Sequence, residues 1–126
     1  MSVALQPVLL VEDDAEIRTA MRCLLELDGY PVVTASNGAQ ALDQLRAGLR
    51  PGLILLDLMT PVMDGFQFRR EQMEDATLAA IPVAVYSGHY DPKASAARLG
   101  AAAYFEKPVE IETLLSVVAT YCLKRS

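Results

Sequence analysis

Short apolar runs recur along the chain, and each of them has the length of a β-strand. Several are continuously apolar rather than alternating, which is typical of parallel strands that helices cover on both faces. The sequence therefore predicts buried parallel strands. The predicted strands cover residues 8–11, 31–34, 53–56, 82–86 and 102–105.

Stretches with helical spacing separate these runs and follow the last of them. The first is predicted to begin at Asp14 or Ala15 and to end at Gly29, because acidic residues cap helix starts and glycine often follows helix ends. The other helices are predicted at 37–48, 64–73, 92–99 and 109–123. The apolar faces of the first and last helices are predicted to be Ile17, Met21, Leu24, Leu25 and Leu27, and Ile111, Leu114, Leu115, Val118 and Cys122.

The alternation of strand and helix repeats five times and predicts an α/β fold. Such repeats form a doubly wound parallel sheet between two helix layers, with right-handed crossovers. No linker or internal repeat interrupts the pattern. We therefore expect residues 1–126 to form a single domain, with a core from about residue 7 to residue 123.

Charge and hydropathy limit the kinds of partner that the chain can bind and the cellular compartment in which it is expected. The formal net charge of −5 disfavours direct nucleic-acid binding, since an acidic surface repels phosphate backbones. No apolar stretch is long enough for a membrane span. The first seven residues lack the features of a signal peptide, and together with the short tail 124–126 they suit a complete chain. A cytoplasmic location is expected.

The two cysteines, Cys23 and Cys122, are expected to be small buried hydrophobes. Both fall in apolar helical patterns, and no Cys-x-x-Cys spacing is present. A disulfide or a metal pair is the less favoured interpretation.

Chemically active side chains follow the predicted strands. The first strand is followed by Glu12 and Asp13, the third by Asp57, the fourth by Ser87, and the fifth, after Glu106, by Lys107. Ligands of open parallel sheets bind beyond the carboxyl ends of the strands. We therefore expect these side chains to share one rim of the sheet.

This combination of groups suits phosphoryl chemistry. Clustered carboxylates favour a bound cation, and hard oxygen ligands suit Mg²⁺, or Mn²⁺ in its place. Zinc is disfavoured because no cluster of histidine and cysteine is present. A carboxylate beside such an ion can attack a phosphoryl donor and form an acyl phosphate, while a lysine neutralises the developing charge.

Each residue also has an ordinary structural interpretation. Glu12 and Asp13 could cap the first helix, and Asp57 could be a turn residue at a strand end. Ser87 could be a turn hydroxyl and Lys107 a solvated loop charge. The joint occurrence of these residues at four strand ends favours the functional interpretation.

Four segments together resemble the receiver domain of two-component response regulators. The resemblance covers residues 8–123, and its most specific part is the block Asp-x-x-x-Pro-x-x-Asp-Gly that begins at Asp57, with an acidic pair upstream and Lys-Pro downstream. It implies a flavodoxin-like sheet with strand order 2-1-3-4-5 and no output domain. The segments are 8–14, 55–65, 85–88 and 104–108.

The resemblance implies a role for each matching residue around the acceptor. Asp57 is the implied phospho-acceptor, and Lys107 bridges its carboxylate to the phosphoryl oxygens. Asp13 is the implied direct magnesium ligand, and Glu12 acts on the ion through water. The backbone carbonyl of Met59 is expected to complete the metal shell.

Two further residues resemble the switch pair of this family. Ser87 is the implied switch hydroxyl, and Tyr104 is the aromatic that turns inward once Ser87 moves. The surface of helix 4, strand 5 and helix 5, near Arg98, Tyr104 and Glu106, is then expected to bind a downstream protein effector.

The resemblance also implies partners, and it leaves alternatives open. The donor is expected to be a sensor histidine kinase or a His-phosphotransfer protein, and the chain a monomer or weak dimer with only self-phosphorylation and slow autodephosphorylation as activities. The chain could instead be a phosphorelay shuttle, a receiver excised from a hybrid kinase, or a scaffold without phosphate chemistry. A haloacid dehalogenase-type phosphatase is disfavoured, because Met59 stands where that class requires a second aspartate.

Overall fold

The computed structural model describes residues 6–124 of the chain. The expectation that the chain has no leader and is complete rests largely on residues 1–5 and 125–126, which lie outside the described residues. Five strands alternate with five helices. The strands are β1 (Val8–Val11), β2 (Val32–Ala35), β3 (Leu53–Asp57), β4 (Val83–Ser87) and β5 (Ala103–Glu106). The helices are α1 (Ala15–Leu27), α2 (Gly38–Arg46), α3 (Gly65–Glu74), α4 (Pro92–Leu99) and α5 (Ile111–Tyr121).

The sheet has the strand order β2-β1-β3-β4-β5, and each neighbouring pair is parallel. This order confirms the α/β fold predicted from the sequence pattern and the flavodoxin-like topology that the family resemblance implies. Strand order reverses beside β1, so β1 and β3 lie together at the centre of the sheet. Their carboxyl ends meet at the switch point where open α/β sheets bind ligands.

The two faces of the sheet carry separate cores, because successive side chains of a strand point to opposite faces. Leu9, Ile54 and Val85 lie in one core, which the buried faces of α2, α3 and α4 cover. Leu10 and Leu55 lie in the other, which α1 and α5 cover. The strands are therefore buried on both faces, as their continuous apolar runs predict.

Side-chain caps start four of the helices directly after the loops that leave the strands. Asp14, Asn37, Asp64 and Asp91 each accept a hydrogen bond from a backbone N–H of the first helical turn. Asp14 is thus the helix cap that the sequence predicts. Such caps satisfy N–H groups that lack a partner within the helix, and they fix where each loop ends.

The predicted buried face of α1 is partly wrong. Met21 and Leu25 are buried, whereas Leu27 is 86% exposed. The separate expectation that Cys23 is buried is wrong, because this cysteine is exposed. Residues two apart on a helix are separated by roughly 200° around its axis. Cys23 and Leu27 each lie two residues from Leu25, so both face away from the sheet. Ile17 shares the face of Met21 but is 40% exposed, in the first helical turn.

The last helix is shorter than predicted, and its first apolar residue is not buried. It begins at Ile111, which is 44% exposed, while Leu114, Val118 and Cys122 are buried. Cys122 is thus a buried apolar residue, as the sequence predicts. Its burial raises the pKa of the thiol to about 11. Both cysteines are free thiols.

Within residues 6–124, no helix combines the length and apolar character that a membrane crossing requires.

Candidate functional site

The strand-end residues converge because they share one side of the sheet. Glu12 continues the face of β1 that carries Leu10, and Asp57 continues the face of β3 that carries Leu55. Lys107 lies two residues beyond Phe105 on the same side of β5. Alternation along a strand therefore directs all three side chains toward α1 and α5, at the carboxyl ends of their strands.

Three carboxylates form the centre of this rim. One carboxylate oxygen from each of Glu12, Asp13 and Asp57 lies within 4.8 Å of the others. Glu12 and Asp57 are buried, and Asp13 is exposed in the loop that precedes α1. The Arg18 guanidinium holds this loop by donating hydrogen bonds to the carbonyls of Glu12 and Asp13, at 2.8 and 3.3 Å.

Lys107 places one ammonium among these carboxylates. Its Nζ lies 3.1 Å from Asp57 Oδ2 and 3.4 Å from Glu12 Oε1. The lysine is partly exposed, whereas both carboxylates are almost fully inaccessible. One ammonium opposite three carboxylates leaves an excess of negative charge, so the site attracts a further cation.

Tyr86 is a member of the site that sequence reasoning missed. Its buried hydroxyl lies 3.1 Å from the Val11 carbonyl and 3.2 Å from Glu12 Oε1, and its ring lies 5.1 Å below the ammonium of Lys107. The sequence does contain a signal. A tyrosine that ends a continuously apolar strand must find a polar partner for its hydroxyl once it is buried.

The pKa values of these groups are shifted by burial and by one another. Burial raises the pKa of Glu12, and the repulsion from Asp57 adds to this against the opposing effects of the Asp14 N–H and Lys107. Burial lowers the pKa of Lys107, but Asp57 and Glu12 together raise it by more. Burial and the neighbouring Glu12 raise the pKa of Tyr86 well above its ordinary value, so its hydroxyl stays protonated.

The loop after β3 fixes the carboxylate of Asp57. The backbone N–H of Met59 donates to Asp57 Oδ1 at 3.0 Å, on the oxygen that Lys107 does not contact. The Met59 side chain is 42% exposed. The Gly65 N–H donates to the Leu58 carbonyl, which ties the start of α3 to the same loop.

Ser87 lies on the same rim but engages its own loop. Asp57 pairs with Tyr86 in the sheet, so Ser87 stands one residue beyond that pair. Its buried Oγ accepts hydrogen bonds from the N–H groups of His89 and Tyr90, at 3.1 and 3.0 Å. In this structure the hydroxyl is therefore a turn hydroxyl that holds the β4–α4 loop.

Tyr104 lies apart from the carboxylates, in the middle of β5. It pairs with Val85 in the sheet, and its side chain is 44% exposed. A surface cleft of about 560 Å³ lies beside it, lined by Lys93 and by small residues of α4 and of the segment that leads into β5. The ring is in an outward position and has open space next to it.

The residues of this rim fit Mg²⁺. All three clustered donors are hard carboxylate oxygens, the ligand type that Mg²⁺ prefers, and the exposure of Asp13 leaves room for the waters that this ion retains. The arrangement of a buried carboxylate, an ammonium and an acidic pair suits transfer of a phosphoryl group.

Comparison with known proteins identifies relatives over nearly the whole chain. Residues 8–119 match the family described as the response regulator receiver domain. An uncharacterised 14.6 kDa protein from the sodA1 3′ region of Leptolyngbya boryana is 37% identical, over 97% of this chain and 94% of the relative. Sporulation initiation phosphotransferase F of Bacillus subtilis is 33% identical, over 92% of this chain and 93% of the relative.

A solved structure agrees with these sequence relationships. The crystal structure of a response regulator receiver protein from Pseudomonas putida superimposes with a TM-score of 0.84 at 30% identity. The similarity covers 94% of this chain and 99% of that chain.

Proposed function

The chain belongs to the response regulator receiver domain family, and from that membership we propose that Asp57 accepts a phosphoryl group and thereby switches a protein-binding surface. Members of this family are signalling proteins rather than classical enzymes. The observation that carries the proposal is the position of Asp57, buried at a strand end between Lys107, Glu12 and Asp13.

Asp13 and Asp57 would hold Mg²⁺ directly, Glu12 would act through water, and the carbonyl of Met59 would complete the shell. The chemistry that the bound ion supplies is positive charge beside the transferred phosphoryl oxygens. Glu12 and Asp57 are buried and repel one another, and Lys107 offsets only part of that repulsion. A bound cation is therefore expected to stabilise the folded protein even before a phosphoryl donor arrives.

In the transfer step, a carboxylate oxygen of Asp57 forms a bond to phosphorus as the bond from phosphorus to the donor's imidazole nitrogen breaks. The leaving imidazole keeps the electron pair of that bond. Lys107 then lies close enough to pair with a phosphoryl oxygen, since it already contacts Asp57 Oδ2. The buried surroundings of Asp57 limit the access of water to the acyl phosphate.

An apolar groove beside the site suits the donor protein. It has a volume of about 500 Å³ and is lined by α1, by Tyr86 and by the segment from Lys107 to Val109. Ile17 stands at its edge and is 40% exposed. We propose that a histidine-bearing helix of a sensor kinase or phosphotransfer protein packs here, because the groove leads directly to Lys107.

Placing a charge in this groove is expected to slow transfer from a protein donor only. We expect Ile17→Lys to lower the rate of phosphorylation by a phosphorylated partner protein at least about tenfold, the effect of losing the burial of one large apolar side chain. Phosphorylation by acetyl phosphate, which needs no docking, is expected to be unchanged. Equal slowing with both donors, measured by intact-protein mass, would contradict donor docking at this groove.

The central test of the function is phosphorylation of the wild-type chain by a small-molecule donor. Incubation with acetyl phosphate and Mg²⁺ is expected to add one phosphoryl mass, detected by intact-protein mass spectrometry. Addition of EDTA is expected to abolish the gain. If the mass stays unchanged with Mg²⁺ present and the chain folded, the scaffold alternative replaces the proposal.

The output surface is proposed to be the face of α4, β5 and α5 around Tyr104 and Glu106. Arg98, which the sequence grouped with them, instead lines a cleft on the other side of α4. The phosphoryl oxygens draw the Ser87 hydroxyl toward Asp57, and this movement releases the β4–α4 loop that the hydroxyl now holds. Tyr104 can then turn into the space beside it.

The switch predicts changes far from Asp57 itself. On phosphorylation, we expect the ¹H–¹⁵N NMR signals of Tyr104 and its neighbours in β5 to shift together with those of Ser87. The ring protons of Tyr104 are expected to report a buried environment. A phosphorylated chain whose β5 signals do not move would remove this surface from the proposal.

A phosphorelay shuttle is the second candidate, and one relative favours it. The related Bacillus subtilis protein is named as a phosphotransferase. A shuttle passes its phosphoryl group onward to a second histidine protein, whereas an endpoint regulator does not. Loss of label from Asp57 with an equal gain in a purified His-phosphotransfer protein would establish the shuttle, and retention of the label would exclude that pairing.

A further inference from the structure

A cleft between α3 and α4 combines apolar side chains with arginines. It has a volume of about 420 Å³ and lies on the side of α4 opposite the cleft beside Tyr104. Met73, on its wall, is 51% exposed. Its lining consists of Phe66, Arg69, Arg70, Met73, Arg98 and Leu99.

The positive charge in this cleft has no acidic counterpart. Within residues 6–124, neither Arg70 nor Arg98 lies within ion-pair distance of a carboxylate, and neither guanidinium makes a hydrogen bond. Arg98 instead lies over the ring of Phe66, 5.0 Å from its centroid. The nearby acid Glu71 pairs with Arg46.

Arg69 adds a buried charge at the base of the same cleft. It is only 7% exposed, and it donates to the carbonyls of Leu99 and Gly100 and to the side chain of Gln72. These partners are all neutral. A buried guanidinium without an anionic partner is electrostatically unfavourable, so an arriving carboxylate would stabilise it.

We propose that this cleft binds a short acidic segment of a protein partner, with carboxylates at Arg70 and Arg98 and an apolar side chain on Phe66 and Met73. Charge complementarity supports this occupant, since the cleft is cationic in a chain of net charge −5. Nucleic acid fits less well, because the acidic remainder of the surface repels a long polyanion.

The cleft is linked to Ser87 through Tyr90. The ring of Tyr90 packs edge-on against Phe66, with centroids 5.1 Å apart, and its N–H donates to Ser87 Oγ. A displacement of Ser87 therefore loosens the loop that holds Tyr90 against Phe66. This link, unlike the binding itself, rests on the proposed phosphorylation of Asp57, and it predicts that phosphorylation changes affinity at the cleft.

The experiment uses the full unphosphorylated chain, labelled with ¹⁵N, and a defined probe. The probe is an acetylated and amidated octapeptide of Glu, Leu and Gly, and its neutral counterpart carries Gln in place of Glu. We expect the acidic peptide, but not the neutral one, to change the ¹H–¹⁵N NMR chemical shifts of residues in α3 and α4. Arg98→Gln is expected to weaken binding about fivefold, the scale of one partly exposed charged contact.

Lys93→Gln is the matched control, because it removes one charge from the opposite side of α4. Equal weakening by Lys93→Gln and Arg98→Gln would mean diffuse attraction and would overturn the proposal. The proposal would also be overturned by chemical-shift changes on another face, or by the absence of binding. Tighter binding of a single-stranded oligonucleotide would overturn it as well, as would a dimer in sedimentation that Arg98→Gln disrupts. Repeating the titration on protein whose phosphorylation is verified by mass tests the link separately from the site.

Discussion

Replacing Asp57 with asparagine is expected to abolish phosphorylation completely. The amide nitrogen is a poor nucleophile, and the remaining carboxylates are not equivalent substitutes, because Glu12 already accepts from Tyr86 and Asp14, and Asp13 is exposed. Intact-protein mass after incubation with acetyl phosphate and Mg²⁺ measures the result. The variant is expected to fold, since it removes a charge from a cluster with excess negative charge.

Asp64→Asn provides the matched control for this prediction. Asp64 lies in the same β3–α3 segment, and the substitution makes the same change of charge. Asparagine caps helices about as well as aspartate, so α3 is expected to remain intact. Asp64→Asn should gain one phosphoryl mass like the wild type. A mass gain in Asp57→Asn would mean that another residue is the acceptor.

Adding a single methyl group at Gly65 is expected to destabilise the protein and to disturb the acceptor loop. A Cβ there would lie 2.8 Å from Leu58 Cδ2, 2.9 Å from Leu58 Cα and 3.1 Å from the carbonyl oxygen of Asp57. Two of these neighbours are backbone atoms that cannot rotate away. We expect Gly65→Ala to lower the free energy of unfolding by about 1–3 kcal/mol, and to slow phosphorylation because Asp57 shifts.

Gly88→Ala tests whether the close contacts of the added Cβ cause the destabilisation expected for Gly65→Ala. It lies on the same rim, but a Cβ there would meet only the Lys107 side chain, at 3.6 and 3.8 Å. Its free energy of unfolding in urea is expected to stay within about 0.5 kcal/mol of the wild type, as for an ordinary surface substitution. Equal destabilisation by the two variants would show that glycine is needed for another reason.

The fold and the centre of the site are predictable from the sequence because both depend on local patterns. Continuous apolar runs identified buried strands, and the carboxyl ends of parallel strands meet at one rim, so Glu12, Asp13, Asp57 and Lys107 were placed together correctly. The family and the strand order are confirmed. The chemical roles of these residues stay predictions.

The predictions fail or are incomplete in two situations. In one, burial depends on the position of a residue around the helix axis, and in the other, on contacts with residues that are distant in sequence. Apolar spacing placed Leu27 on the buried face of α1, and Cys23 was expected to be buried, although the 3.6-residue turn puts both opposite Leu25. Tyr86 was counted as an apolar strand residue, since its partner Glu12 is far away in the sequence, directly after β1. The Phe66–Tyr90 contact joins the first turn of α3 to the β4–α4 loop and has no signature in local sequence.

The ammonium of Lys107 and the carboxylate of Asp57 meet across 50 residues of sequence. Glu12 follows β1, Asp57 ends β3 and Lys107 follows β5. These side chains meet only when β1, β3, β4 and β5 are paired with one another. A copy that is still emerging from the ribosome, or one that has partly melted, has no such meeting point. Under the proposed function, such a copy is therefore not expected to accept a phosphoryl group.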